Sequence, residues 1–330
     1  MLERKLSIVI PTYNRRGSLL CLLKRIYQQE SSNRVEIVVC DNHSDYDVEI
    51  AVEEELSSYR TDNLHIFKNT VNIGMCANLS LLFFRCKTEW MWTLSDDDVI
   101  VDGAIDIVLK DIEVFNEYGL LKYSRKGHEF DENQTIRSIN DLINYFGSRK
   151  DASGDLIFLS NNVYNMNRIM PYFDNTLSNC NTAIGHLIPV LNMLNKKGGG
   201  MRVLRTPIVD FYLAPSSATW NFLSVTLGVS TLIYLPFELT QKDYFRLLKV
   251  ITGNFSHFLV IDGCLSIKDR KRANFLYKEI YRKLFRKSGY LVDKLYYMFF
   301  YICLYSGLRV TLERAYTIRE SIRRVFPSFK

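Results

Sequence analysis

Four apolar, largely β-branched runs punctuate roughly the first 115 residues, and a stretch with helical spacing follows each of them. Leu6–Ile10 (LSIVI), closed by Pro11, reads as a buried parallel strand. Val35–Cys40 (VEIVVC), Leu64–Phe67 and Glu89–Leu94 (EWMWTL) supply three more. Between them, Gly17–Gln29 carries Leu19, Leu20, Leu22, Leu23, Ile26 and Tyr27 at helical spacing. Val48–Tyr59, Met75–Cys86 and Gly103–Phe115 continue the pattern. A chain that alternates in this way is constrained to an α/β fold, a mostly parallel sheet with helices on both faces.

Such sheets bind ligands at the carboxyl ends of their strands. Each polar cluster of this half falls there: Pro11-Thr12-Tyr13-Asn14, then Asp41-Asn42-His43-Ser44-Asp45, then Asp96-Asp97-Asp98. Three adjacent carboxylates repel one another and resist losing water, so they either lie in solvent or accompany a positive group. A hard divalent cation, which prefers oxygen ligands, would suit them. The alternative is a capping role for Asp98 or Asp102 at the next helix. Asp41 can fix a turn through its own backbone, or accept hydrogen bonds from a base or ribose, and Asp45 can do either. Asn72 is a plausible cap for the Met75 helix, and the Tyr13 ring can stack on a base or simply pack. There is no GxSxG, no P-loop and no GxGxxG, and the five histidines show no metal-ligand spacing.

The remaining chain is less regular. Asp155–Asn165 (DLIFLSNNVYN) reads as a strand, Ala183–Leu194 as a helix broken by Pro189, and Met201–Leu213 as extended. A soft boundary falls near 215–230, after which helical signals prevail. From residue 266 to 330 there are 16 Lys and Arg against 5 Asp and Glu, a net +11; the remainder has 26 against 31, a net −5. A basic tail on a mildly acidic body favours an anionic surface. Lys268–Lys287 interleaves its charges with aromatics, Leu295–Leu308 adds apolar surface, and a further basic helix spans Arg309–Arg324. These helices either lie against a membrane interface or pack on the rest of the chain. No nucleic-acid motif is visible. The seven cysteines are scattered without a CxxC and read as small buried hydrophobes of a reducing compartment. The N-terminal apolar run is too short for a signal peptide, and the longest uncharged run too short for a spanning helix.

The blocks SIVIPTYNR, VVCDNHSDYD, NIGMCANL and LSDDDVI, in this order and spacing over roughly residues 5–110, resemble the family 2 glycosyltransferases. The resemblance implies the GT-A fold, a Rossmann-like sheet, here with a C-terminal helical extension. It implies a GT-A domain over 1–220, with a donor half 1–115 and an acceptor half 116–220, and a basic helical region over 221–330. It also implies a nucleotide-sugar donor, Mn²⁺ or Mg²⁺ at a DXD-type motif, and inversion at the anomeric carbon. Carried over by position, Pro11, Thr12, Tyr13, Asn14, Asp41, Asn72 and Asp96 would bind the donor, and Asp96, Asp97 and Asp98 the metal. One register reads Asp96-x-Asp98; the other makes Asp97 the direct ligand. Size and tail resemble bacterial enzymes that build O-antigen or capsule units on a lipid carrier. That implies a lipid-linked oligosaccharide acceptor and a cytoplasmic, membrane-peripheral location.

The chain departs from the family on the acceptor side. Asn179–Leu194 contains no acidic residue where many members place a Glu-Asp pair, and His186 stands about there. His186 is the first expectation for the general base, since imidazole suits that role near neutral pH. Asp155 and Asp174 are the others. A non-catalytic glycan- or nucleotide-sugar-binding protein and a sugar nucleotidyltransferase are the alternatives; for the latter, PTYNRRGS has only one glycine where a Gly-rich loop is expected.

Overall fold

The computed structural model describes residues 4–59, 61–149, 151–182, 184–210, 228–229, 231–232, 235–252, 261, 264–265, 267, 269–282, 291–306 and 308–325. The chain divides into two compact units, Met1–Ala218 and Thr219–Lys330. The boundary at 220/221 and residues 211–213 of the expected extended segment lie outside the described residues.

The first unit is built on a nine-stranded sheet. Its strands are β1 (Leu6–Thr12), β2 (Glu36–Asp41), β3 (Leu64–Lys68), β4 (Trp90–Thr93), β5 (Val99–Ile100), β6 (Leu120–Lys126), β7 (Gln134–Ile136), β8 (Asn162–Asn165) and β9 (Met201–Asp210). They lie in the order β3-β2-β1-β4-β8-β6-β9-β5, with β7 beside β9. β3, β2, β1 and β4 are parallel, β8 runs against β4 and β6, and β6 and β9 are parallel again. The chain steps outward from β1 to β3, then returns to lay β4 on the other side of β1. The β1–β4 junction is therefore the point where the strand order reverses, and its carboxyl edge is where such sheets hold ligands.

The eight α-helices described in this unit are α1 (Arg16–Tyr27), α2 (Val48–Leu56), α3 (Met75–Arg85), α4 (Ala104–Val114), α5 (Ile139–Gly147), α6 (Ala152–Ile157), α7 (Met166–Ile169) and α8 (Ile188–Asn195). α1 buries Leu19, Leu20, Leu22, Leu23 and Ile26, and α4 buries Ile105, Val108 and Ile112, against a layer formed by Ile8, Ile10, Ile37, Val39 and Trp92. Each such side chain contributes about 1.5–3 kcal/mol on leaving water. α2 begins where Asp47 Oδ1 accepts the Glu49 and Ile50 amides at 2.9 and 3.2 Å. α5 begins where Ser138 Oγ accepts the Asp141 amide while the Asp141 carboxylate accepts the Arg137 amide, both at 3.1 Å.

Several sequence expectations need correction. β1 does not stop at Pro11 but carries on to Thr12, with Pro11 in register opposite Cys40. Asp155–Asn165 is not one strand: α6 comes first, started by Asp151 accepting the Gly154 amide, and only Asn162–Asn165 is extended. Pro189 does not break a helix; it sits in the first turn of α8, where its missing N–H is harmless. Asn72, Asp98 and Asp102 are not side-chain caps, since α3 and α4 start from Gly74 and Gly103 at φ 82° and 73°. Of the cysteines only Cys40, Cys264 and Cys303 are buried, and Cys21 is exposed.

In the second unit the described helices include α9 (Gln241–Thr252), α10 (Arg270–Ile280), α11 (Leu291–Tyr305) and α12 (Leu308–Val325). Among the described residues, no single helix is long and apolar enough to cross a membrane.

Candidate functional site

Three loops leave the carboxyl ends of β1, β2 and β4, and hydrogen bonds join them. Thr12, the last residue of β1, is buried and donates through Oγ1 to Asp96 Oδ2 at 2.7 Å. Its carbonyl accepts the Asn42 amide at 2.9 Å, which ties the β1 loop to the β2 loop. Asn14, held in the left-handed region at φ 53°, exchanges two bonds with Asp45: its Nδ2 donates to Asp45 Oδ2 and its Oδ1 accepts the Asp45 amide, both at 2.8 Å.

The carboxylate run answers for its own charge. Arg15 Nη1 donates to Asp96 Oδ1 and to Asp97 Oδ2, each at 2.8 Å. Asp98 accepts from Ser160 Oγ, and that oxygen also accepts the Ser95 amide at 2.8 Å. Asp97 takes a further bond from Ser95 Oγ at 2.5 Å. Asp96 and Asp98 are buried, whereas the Asp97 side chain keeps 21% of its surface exposed. Burial pushes the Asp96 carboxyl up to about 6 against the pull of Thr12 and Arg15, and burial pushes Asp98 up to about 7 against the pull of Ser160.

Asp41 is wholly buried at the end of β2. Its Oδ1 accepts the Ser44 amide at 2.9 Å and the Ser44 hydroxyl at 2.6 Å, while its Oδ2 has no hydrogen-bond partner. A buried carboxylate oxygen without a donor is costly unless a ligand supplies one. Tyr46 lies within electrostatic reach of both Asp41 and Asp96, beside the Thr12 and Ser44 hydroxyls, and burial raises its pKa. The Tyr13 ring is 44% exposed and Pro11 is half-buried. Asn72 is exposed, and its Oδ1 accepts from Asn42 Nδ2 and the Gly74 amide, both at 2.8 Å.

The structure joins Thr12, Asp96, Asp97 and Arg15 in one bonded group and joins Asn14 and Asp41 to it through their loops. His186 and Asp155 stand differently. His186 is only 2% exposed, and its Nε2 faces the Ile157 carbonyl at 3.1 Å. Burial, and then the neighbouring Lys122, push its pKa down to about 3. Such an imidazole has neither the access nor the basicity to deprotonate an acceptor hydroxyl, which withdraws the expectation placed on it. Asp155 is buried with Oδ1 on Arg125 at 3.1 Å and Oδ2 on Arg149 at 2.6 Å, so both oxygens are engaged by guanidinium groups. Asp174 is exposed and pairs with Lys196 at 3.2 Å. His128, Asp151 and Asp155 bring ligand atoms within 4.8 Å of one another, but both carboxylates already pair with arginine.

The sequence reading missed Arg15 and Ser160. Arg15 carried a signal, a cation directly after PTYN; Ser160, in a loop far along the chain, carried none. The donor set fits a divalent cation. It offers only hard carboxylate oxygens, and two of them already converge on one positive atom.

The family 2 glycosyl transferase model matches residues 7–178, just over half of the chain, and the chain belongs to that family. Over 108 residues it is 32% identical to an uncharacterized glycosyltransferase of Haemophilus influenzae, a match spanning 33% of this chain and 34% of that one. Over 104 residues it is 29% identical to the Salmonella typhimurium abequosyltransferase RfbV, spanning 31% of each. These alignments thus cover about a third of the length of the curated relatives. Among solved structures, S. aureus TarS 1-349 aligns with a TM-score of 0.62 at 13% identity, over 93% of this chain and 92% of that one. The Pyrobaculum calidifontis mannosyltransferase PcManGT, in complex with GDP-Man and Mn²⁺, aligns with a TM-score of 0.50 at 14% identity, over 98% and 88%. TarS establishes the GT-A-like α/β fold.

Proposed function

We propose that this protein transfers a sugar from a nucleotide-sugar donor to a hydroxyl of a lipid-linked glycan, inverting the anomeric carbon, in bacterial O-antigen or capsule assembly. The observation that carries the donor site is the convergence of Thr12, Arg15, Asp96 and Asp97 at the β1–β4 junction, beside a buried Asp41 with one unpartnered oxygen. Asp41 Oδ2 would accept from the base or ribose, with Pro11, Thr12, Tyr13, Asn14 and Asn72 around the nucleoside. Asp97, the most exposed of the three carboxylates, would hold Mn²⁺ or Mg²⁺ with Asp96, while Asp98 stays on Ser160 and fixes the loop. When bound, the cation would offset the charge that builds on the leaving diphosphate. The Arg15 guanidinium, released from the two carboxylates as the cation takes its place, would contribute positive charge at the same edge. The lipid carrier would place the enzyme peripherally at the cytoplasmic face of the plasma membrane.

Relatives and neighbours support this reading: one curated relative is named an abequosyltransferase, and TarS 1-349 and PcManGT have solved structures in complex with UDP-GlcNAc and with GDP-Man and Mn²⁺ respectively. One observation favours a second reading, a nucleotide-sugar-binding protein without transfer: His186 is buried and Asp155 is doubly ion-paired, so neither is free as a base.

The test is thermal stabilisation by a panel of nucleoside diphosphates, with and without Mn²⁺. A ligand at about 100 times its Kd adds ~2.7 kcal/mol to stability. One nucleotide should stabilise the protein in a Mn²⁺-dependent way, and Asp97→Asn should abolish that shift while staying folded. No shift with any nucleotide would overturn the site. Donor hydrolysis by the wild type separates the enzyme from the binding protein.

A further inference from the structure

We propose that α11 is a bilayer-contact helix that seats the second unit on an anionic lipid surface. Leu291, Leu295, Met298, Ile302 and Tyr305 follow one another at steps of four and three residues, with Phe299 alongside, which aligns them along one side of the helix. All six are exposed, between 48% and 69%. The opposite side is already used: Phe300, Cys303 and Leu304 are 2–3% exposed. The helix therefore buries one apolar face and leaves a second one bare. Leu308 and Val310, at the start of α12, are exposed as well. A contiguous exposed apolar strip of this kind marks a contact surface.

Charge decides among the occupants. Lys294 is exposed on the same helix and Lys278 on α10, and the exposed Arg270 and Arg282 of the same unit pair with Glu313 and Glu279. Residues 266–330 carry a net +11. A second copy packed on this face would bring two such segments together and meet their repulsion. An anionic lipid surface would instead be attracted by that net positive charge while accepting the apolar strip. The geometry favours lying on the bilayer over crossing it. Fifteen residues of helix are about 22 Å long against a hydrocarbon core of about 30 Å. The direction then turns by 99° between Lys294–Tyr305 and Leu308–Ala315, a pair long and apolar enough to cross only together, as a broken span.

The inference does not depend on sugar transfer, because vesicle binding needs no donor. The 330-residue chain would be floated with phosphatidylcholine vesicles, with or without phosphatidylglycerol, at low salt and at ~0.5 M salt, where charge attraction is screened. The wild type should float with the anionic vesicles, less so in high salt, and stay behind with the neutral ones. The double variant Met298→Glu/Ile302→Glu should bind at least ~tenfold more weakly. Its unfolding temperature and nucleotide-dependent shift should match the wild type, and the single Ile302→Ser variant should show a smaller loss in the same direction. Undiminished flotation of both variants would overturn the proposal. So would a wild type that ignores anionic vesicles, a dimer that the variants dissociate, or membrane association that resists alkaline carbonate.

Discussion

Replacing Arg15 by methionine tests how the carboxylate run is neutralised. The guanidinium makes two charge-assisted bonds of 2.8 Å from one nitrogen, and its side chain is 32% exposed. Hydrogen bonds to charged groups are worth about 1.5–3 kcal/mol each when buried; partial screening brings the expected total to about 2 kcal/mol at pH 8. The cost should depend on pH. The folded Asp96 carboxyl, raised by burial to about 6, already binds its proton more tightly than the unfolded chain, so it opposes folding as pH rises through that range. Without Arg15 it rises further, and the variant's deficit grows above pH 6 and shrinks toward pH 4, where the folded Asp96 is protonated in both proteins. Urea midpoints of both proteins at pH 8 and pH 5, at unchanged slope, measure this. Mn²⁺ alone should raise the variant's unfolding temperature more than the wild type's, because no guanidinium has to leave first. Equal deficits at both pH values, or a smaller Mn²⁺ shift in the variant, would refute the reasoning.

Three further outcomes are expected. Ser160→Ala removes the oxygen that bridges Ser95 and Asp98; one neutral and one charged bond lost inside the protein should cost about 3 kcal/mol in urea unfolding and weaken Mn²⁺-dependent nucleotide stabilisation. His186 should make the protein acid-sensitive. Burial holds its folded pKa at about 3 while the unfolded chain titrates near 6.5, so stability is full above pH 6.5 and should fall by ~2 kcal/mol on reaching pH 5. His186→Phe should flatten that slope, as seen in urea midpoints across the range. Asp41→Asn should reduce nucleotide binding by ~tenfold or more without removing Mn²⁺ dependence, as seen by calorimetric titration, because the loss falls on the nucleoside end.

β1 and β2 were legible because they are buried on both faces, and such strands leave unbroken apolar runs such as LSIVI and VVC. β6 escaped notice for the opposite reason. LLKYSRK holds Lys122 and Arg125, both buried, and charged residues inside a sheet read as loop. Lys122 is tolerated because its Nζ donates to the Leu156 and Phe158 carbonyls and to Asn162 Oδ1, all within 3.0 Å, partners that only the folded chain assembles. α6 was misread because ASGDLI offers too few residues to show a period. In the site, the aspartates were visible from type and position alone. Arg15 as their counter-charge required knowing that the turn after β1 meets the loop after β4. His186 stood where the family pattern pointed, yet burial is a tertiary property that no local spacing reports.

The asparagines behind the β2 loop carry a last consequence. Asn42, Asn69, Asn72 and Asn78 are linked side chain to side chain, and the chain is anchored below by Asn78 Nδ2 donating to the Cys40 carbonyl at 3.3 Å. With Asn14 and Asp45 clasped above, the loops that would touch a nucleoside are tied to one another before it arrives. Little conformational entropy is left to lose, so association at the nucleoside end should proceed in one kinetic phase, with adaptation confined to Arg15 and the carboxylates it bridges.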